Sequence, residues 1–159
     1  MNHDIQVIFV CWGNICRSPM AERIAEAVAA REGLSGVYFT SAGVSSEESG
    51  HPIDPRARRV LAAHGYDGEH HRAHRITADE IAGADLVIGL EQLHVDRMRQ
   101  VLPDATNLAL LTDFDPAAEP GSGIDDPWYG NEAGFEKTLA AVEAAVPGVL
   151  RQVKTLQHR

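Results

Sequence analysis

The sequence predicts an α/β fold: a small doubly wound sheet of four parallel strands, order 2-1-3-4, with helices on both faces. Three observations lead there. Short apolar runs alternate with segments of helical period, which implies right-handed crossovers and a parallel sheet. The first run, Ile5 to Val10, is apolar at nearly every position, as in a strand buried on both sides. A length of 159 residues suits one domain, residues 1–159, with a sizeable core.

The elements follow in order. After the strand at 5–10 comes a short loop, Cys11 to Arg17, then Ser18-Pro19, a helix cap followed by proline at the first helical position. Ala21, Ile24, Ala25 and Val28 continue at helical spacing, and Gly33 closes the helix. Val37 to Ser41 is the second strand, and a polar loop runs from Ala42 to Ile53. Asp54-Pro55 opens a helix with Ala57, Val60, Leu61 and His64 on one face, ended by Gly65. Thr77 to Glu80 is a capping box. Leu86 to Leu90 and Leu108 to Leu111 are strands, separated by a helix over 91–102 that Pro103 stops. A loop rich in Asp, Pro and Gly spans about Thr112 to Asn131. The last helix aligns Phe135, Leu139, Val142, Val146, Val149, Val153 and Leu156, and Pro147-Gly148 is expected to kink or split it.

Composition narrows the partners. Fourteen basic and 23 acidic side chains leave a net charge of −9, a surface that repels nucleic acid and anionic lipid. An anionic ligand must therefore be drawn in by local positive groups. Hydrophobic residues at 44% and charged residues at 23% are ordinary for a globular chain. No run of about 18 apolar residues suggests a membrane span. Met1-Asn2-His3-Asp4 lacks a basic leader segment, and Ile5 to Cys11 is too short for a signal peptide. Two cysteines, Cys11 and Cys16, exclude a disulfide framework; the expected setting is a reducing cytoplasm.

The chemistry concentrates in Cys11-Trp12-Gly13-Asn14-Ile15-Cys16-Arg17-Ser18. A loop leaving a strand and entering a helix can turn its N–H groups on an anion, with the helix dipole adding positive potential. Gly13 and Asn14 tolerate the left-handed backbone such a nest requires. Arg17 offers a planar fork to two phosphate oxygens. The amides, the helix N-terminus, Arg17 and the Ser18 hydroxyl all favour a thiolate at Cys11, making it a nucleophile. The spacing of Cys11 and Arg17 alone is weak, since free cysteine is commonly a buried packing residue. The strand before, the helix after and Gly-Asn within make the case.

Cys-x5-Arg-Ser, as Cys11 to Ser18 followed by Pro19, resembles the phosphate-binding signature of the low-molecular-weight protein tyrosine phosphatases. Thr40-Ser-Ala-Gly43, the helix end at His64-Gly65 and Asp125-Asp-Pro-Trp-Tyr-Gly130 extend the resemblance along nearly the whole chain. It implies hydrolysis of phosphotyrosine through a phosphocysteine, with Cys11 as nucleophile, Arg17 holding the phosphoryl oxygens and Asp126 as general acid and then base. From the residues alone Asp125 competes equally, and Pro127, which fixes the backbone beside Asp126, is the local reason to prefer Asp126. The resemblance further implies that Asn14, Ser18, Ser41 and His64 brace the loop. It implies that Trp12, Gly13, Asn14, Ile15, Cys16, Ser18, Trp128 and Tyr129 bind or wall the substrate. Read alone, His64 is a packed core histidine. Cys16 matches the family's second loop cysteine, implying a reversible disulfide with Cys11; its plainer role is packing. No cofactor or metal is implied. The partner is a phosphotyrosine protein or peptide, and the expected state is a monomer with at most weak self-association.

Four positions depart from the family's bacterial members: Glu47 for a usual Trp, Leu90-Glu91 for Met-Asp, and His94 for Asn. These are expected to alter peptide preference and leave the phosphate chemistry untouched. His70, His71 and His74 read as a solvated loop, because Arg72 among them and Arg75 next to them would repel a metal. Other functions stay open at this point. An arsenate reductase of related fold would borrow an external thiol, since no further cysteine is present. A phosphocysteine carrier has no phenolate for Asp126 to protonate, and an idle binding module would not need Cys11, Arg17 and Asp126 together.

Overall fold

A computed structural model describes residues 4–159; Met1 to His3, part of the leader argument, lie outside the described residues. Four parallel strands form one sheet in the order 2-1-3-4, as expected. They are β1 (Ile5–Cys11), β2 (Val37–Gly43), β3 (Leu86–Gly89) and β4 (Leu108–Leu110). The register pairs Ile5 with Val37 at one end and Cys11 with Gly43 at the other.

Alternation along β1 explains the two-sided burial. Ile5, Val7, Phe9 and Cys11 join a core with α1 (Arg17–Arg31), α2 (Pro55–Ala63) and α5 (Glu132–Gln157). Ile8 and Val10 point the other way, to Ile81 of α3 (Ala78–Gly83) and Met98 of α4 (Gln92–Val101). Each fully buried aliphatic side chain contributes about 1.5–3 kcal/mol of transfer free energy, and β1 is buried from Val7 to Cys11. No helix among the described residues is long and apolar enough to cross a membrane.

One local expectation is corrected, and so is one of the two alternatives for the last helix, its splitting. α1 begins at Arg17 with Cys16 at its cap position and no side-chain cap; the Ser18 hydroxyl is spent on Cys11 and Asn14 instead. α5 is neither split nor interrupted at Pro147. Gly148 serves a close approach: a Cβ there would stand 2.2 Å from the Phe114 carbonyl oxygen, in the 3-10 turn Leu111–Phe114 packed beneath the helix. The loop from Cys11 to Cys16 leaves the carboxyl end of β1, from which the chain crosses to β2 on one side and β3 lies on the other. Open α/β sheets bind their ligands at that edge.

Candidate active site

Asn14 organises the loop. Its φ of 61° is left-handed, which asparagine tolerates better than most residues. Its side chain is completely buried and uses every polar atom. Nδ2 donates to Ser18 Oγ at 2.9 Å and to Ser41 Oγ at 3.0 Å, while Oδ1 accepts from the His74 N–H at 3.1 Å. Ser41 Oγ in turn donates to Glu22 Oε1 at 2.7 Å. With its lone pair facing Asn14, the Ser18 hydroxyl can turn its proton to Cys11 Sγ, 3.0 Å away. Gly43 on β2 lets the loop come close, since a Cβ would stand 2.7 Å from the Trp12 carbonyl oxygen.

Arg17 is 2% exposed and held on one side. Nη1 donates to the Glu91 carboxylate and, at 2.8 Å, to the Ile124 carbonyl. Nη2 lies 3.5 Å from Asp126 Oδ2 and 3.4 Å from His94 Nε2. Buried Nε has no hydrogen-bond partner among the described residues, although buried donors are nearly always paired. The Nε side is thus the one available to an oxyanion. His94 is 1% exposed and its Nδ1 accepts the Glu91 N–H at 3.0 Å. Burial, and then the charge of Arg17, push the His94 imidazole down to about 3, so it is neutral.

Cys11, Trp12, Gly13, Ile15, Cys16 and Arg17 form one side of a cleft of about 240 Å³. Glu47, Glu48, Asp126, Trp128 and Tyr129 complete it; Asp125 does not line it. Asp126 begins the 3-10 turn Pro127–Tyr129, its Oδ1 accepting the Trp128 N–H at 3.0 Å, so Oδ2 is the oxygen that faces Arg17. Trp12 carries the Arg97 guanidinium 5.1 Å from its ring centre. Trp128 and Tyr129 are exposed at the rim.

The structure brings together every expected residue except one. His64 is exposed at the end of α2 and pairs with Glu136 of α5 at 2.7 Å, away from the loop. The histidine on the loop is His71, whose Nε2–H donates to the Asn14 carbonyl at 2.6 Å. His71 is therefore buried rather than solvated, and burial lowers its pKa despite that bond. The signal for it was adjacency to a positive φ at His70, invisible without the fold. Glu91 and His94 were expected to affect peptides only, yet both touch Arg17. Cys16 is a free, buried thiol whose pKa burial raises first, followed by Asp54 and Cys11, so it stays protonated.

A family model described as low molecular weight phosphotyrosine protein phosphatase matches residues 6–158. Low molecular weight protein-tyrosine phosphatase A of Mycobacterium tuberculosis is 39% identical, covering 94% of this chain and 91% of that protein. The low molecular weight protein-tyrosine-phosphatase of Streptomyces coelicolor is 42% identical, covering 94% and 93%. The crystal structure of a protein tyrosine phosphatase from Entamoeba histolytica superposes with a TM-score of 0.89 at 25% identity, covering 95% and 97%. A buried cysteine and arginine in a braced loop, with an aspartate across the cleft, thus occur in a chain that this family model matches over nearly its whole length. The chain belongs to the low molecular weight phosphotyrosine protein phosphatase family.

Proposed function

We propose that this chain hydrolyses phosphotyrosine in a protein or peptide, and aryl phosphates generally, through a phosphocysteine. The observation that carries the reading is the buried, unpartnered Nε of Arg17, a residue that lines one cleft with Cys11 and Asp126. Cys11 Sγ attacks phosphorus in line as the bond to the aryl oxygen breaks. The Asp126 carboxyl gives its proton to the departing oxygen, releasing the phenol. Arg17 and the amides of the Trp12 to Cys16 segment hold the equatorial oxygens, where charge spreads in the transition state. Water then attacks phosphorus, Asp126 takes its proton, and the sulfur leaves as thiolate with phosphate released.

Asn14, Ser18, Ser41 and His71 keep the loop in shape, and Trp12, Trp128 and Tyr129 offer flat surfaces to a phenyl ring. All these groups come from one chain, so a monomer suffices. The free thiols fit a reducing compartment, and we place the protein in the cytoplasm.

Hydrolysis of p-nitrophenyl phosphate tests the reading. Cys11→Ser should abolish turnover, Asp126→Ala should lose about 10²–10⁴-fold, and chelator should change nothing. Acid quenching in mid-turnover should leave phosphorus on sulfur. Full activity in Cys11→Ser, or an adduct elsewhere, rejects the mechanism. A phosphoarginine peptide belongs in the same assay, because an arginine phosphatase, YwlE, is among the structural relatives at 27% identity and a TM-score of 0.83. The aromatic walls favour the tyrosine ester.

A further inference from the structure

Arg56, at the second position of α2, bridges the two halves of the site. Its Nη1 donates to the carbonyls of Trp128 at 3.2 Å and Gly130 at 3.1 Å. Its guanidinium lies 5.3 Å from the Trp128 ring centre and 4.7 Å from that of Phe135. On the other side Asp54, 6% exposed, grips it: Nε donates to Oδ1 at 3.1 Å and Nη2 to Oδ2 at 2.9 Å. Asp54 is itself anchored, its N–H donating to the Ile15 carbonyl of the phosphate loop at 2.8 Å. Burial works against ionised Asp54, but the Arg56 hydrogen bonds and charge outweigh it and hold the carboxyl below its ordinary value.

A continuous chain of bonds therefore runs from Ile15 through Asp54 and Arg56 to the turn that carries Asp126. Asp126 holds that turn by the Trp128 N–H, and Arg56 holds the same residue by its carbonyl. Only Pro127 of this turn is buried, while Trp128 and Tyr129 are exposed, so hydrogen bonds to a rigid element help to fix the rest. Arginine suits the task, because one planar fork can serve a carboxylate and two carbonyls at once.

We propose that Arg56, gripped by Asp54, is a positioning residue that sets the Asp126 turn in register with the Cys11 loop for proton transfer to the leaving group. The proposal rests on the reading of Asp126 as general acid. Its signature is dependence on the leaving group: displacing the acid hurts esters of basic phenols, which need the proton, and spares esters of acidic ones.

The test measures kcat/KM for aryl phosphates of graded phenol acidity with wild type, Arg56→Met, Arg56→Lys, Asp54→Asn and Asp126→Ala. Asn still caps a helix but grips arginine weakly. Arg56→Met and Asp54→Asn should lose about 10-fold on phenyl phosphate and about two-fold or less on the most acidic phenol. Arg56→Lys should fall between, and inhibition by inorganic phosphate should stay within about two-fold of wild type throughout, since the Cys11 loop is intact. Equal loss across the series in Arg56→Met and Asp54→Asn, or none, overturns the proposal while a steepened series in Asp126→Ala leaves the acid in place. A series that Asp126→Ala does not steepen overturns both.

Discussion

Glu91 holds Arg17 by Nη1, with the Ile124 carbonyl on the same nitrogen, and leaves the buried Nε of a cleft-lining arginine without a partner among the described residues. The carboxylate thus aims the cation while partly neutralising it. Removing it should free the guanidinium to turn. We expect kcat/KM to fall in the order wild type, Glu91→Gln, Glu91→Ala, with the alanine variant down about 10–100-fold, the worth of one charge-assisted hydrogen bond. Steady-state kinetics with p-nitrophenyl phosphate decides; an alanine variant at parental efficiency shows that Arg17 is aimed by something else.

His94 makes stability depend on pH. Its imidazole titrates near 6.5 when unfolded and at about 3 in place. Between those values an acidifying solution protonates only the unfolded chain. Stability is therefore whole above 6.5 and is lost as pH falls toward 3. The loss should be roughly 1–2 kcal/mol between pH 7.5 and 5.5. His94→Asn should flatten the curve in urea titrations at the two pH values. A smaller slope remains, because His71 is also lowered by burial.

Gly43→Ala should separate the loop from the sheet. With Trp12 backbone 2.7 Å from the new methyl group, the loop must retreat. A displacement near 1 Å should lower kcat/KM by about 10²-fold, with roughly 1–3 kcal/mol of stability lost to overpacking. Wild-type kinetics in this variant contradicts the close approach.

His71 and His64 offer an internal control. His71→Ala leaves the buried Asn14 carbonyl without its imidazole donor, which should reduce stability by about 1–3 kcal/mol and activity with it. His64→Ala removes a half-exposed surface pair and should change stability by less than about 1 kcal/mol. Thermal melts and p-nitrophenyl phosphate assays on both, side by side, give the comparison.

Peroxide should inactivate the enzyme reversibly if Cys16 traps oxidised Cys11 as a disulfide. Cys16→Ser should then fail to recover with thiol. Full recovery of the serine variant assigns Cys16 to packing alone.

How far the sequence could be read depended on the range of each signal. Periodicity and caps are local, so the four strands and the Thr77–Glu80 box could be located from their own residues. The Cys11 to Ser18 loop was legible for the same reason. His71 was not, because its bond to Asn14 spans 57 positions and its neighbours are polar. His64 misled by sitting at a helical step from Leu61, on a face that ends at the surface. Pro147-Gly148 reads as a break until the Phe114 carbonyl supplies the reason for glycine. Glu91 read as a change affecting peptide preference and Arg56 carried no reading; only the third dimension shows a guanidinium or a carbonyl opposite each.

An amide whose every donor and acceptor is already engaged has no second orientation to adopt. Because Asn14 is such a group, the Cys11 to Ser18 segment is braced before any ester arrives. Ordering entropy at this segment was surrendered when the chain folded, so the proposed phosphoryl site would not have to meet that cost on binding. Selectivity in the proposed reaction would then fall to the parts of the cleft outside that segment, the acidic edge at Glu47 and Glu48 and the exposed rim residues Trp128 and Tyr129.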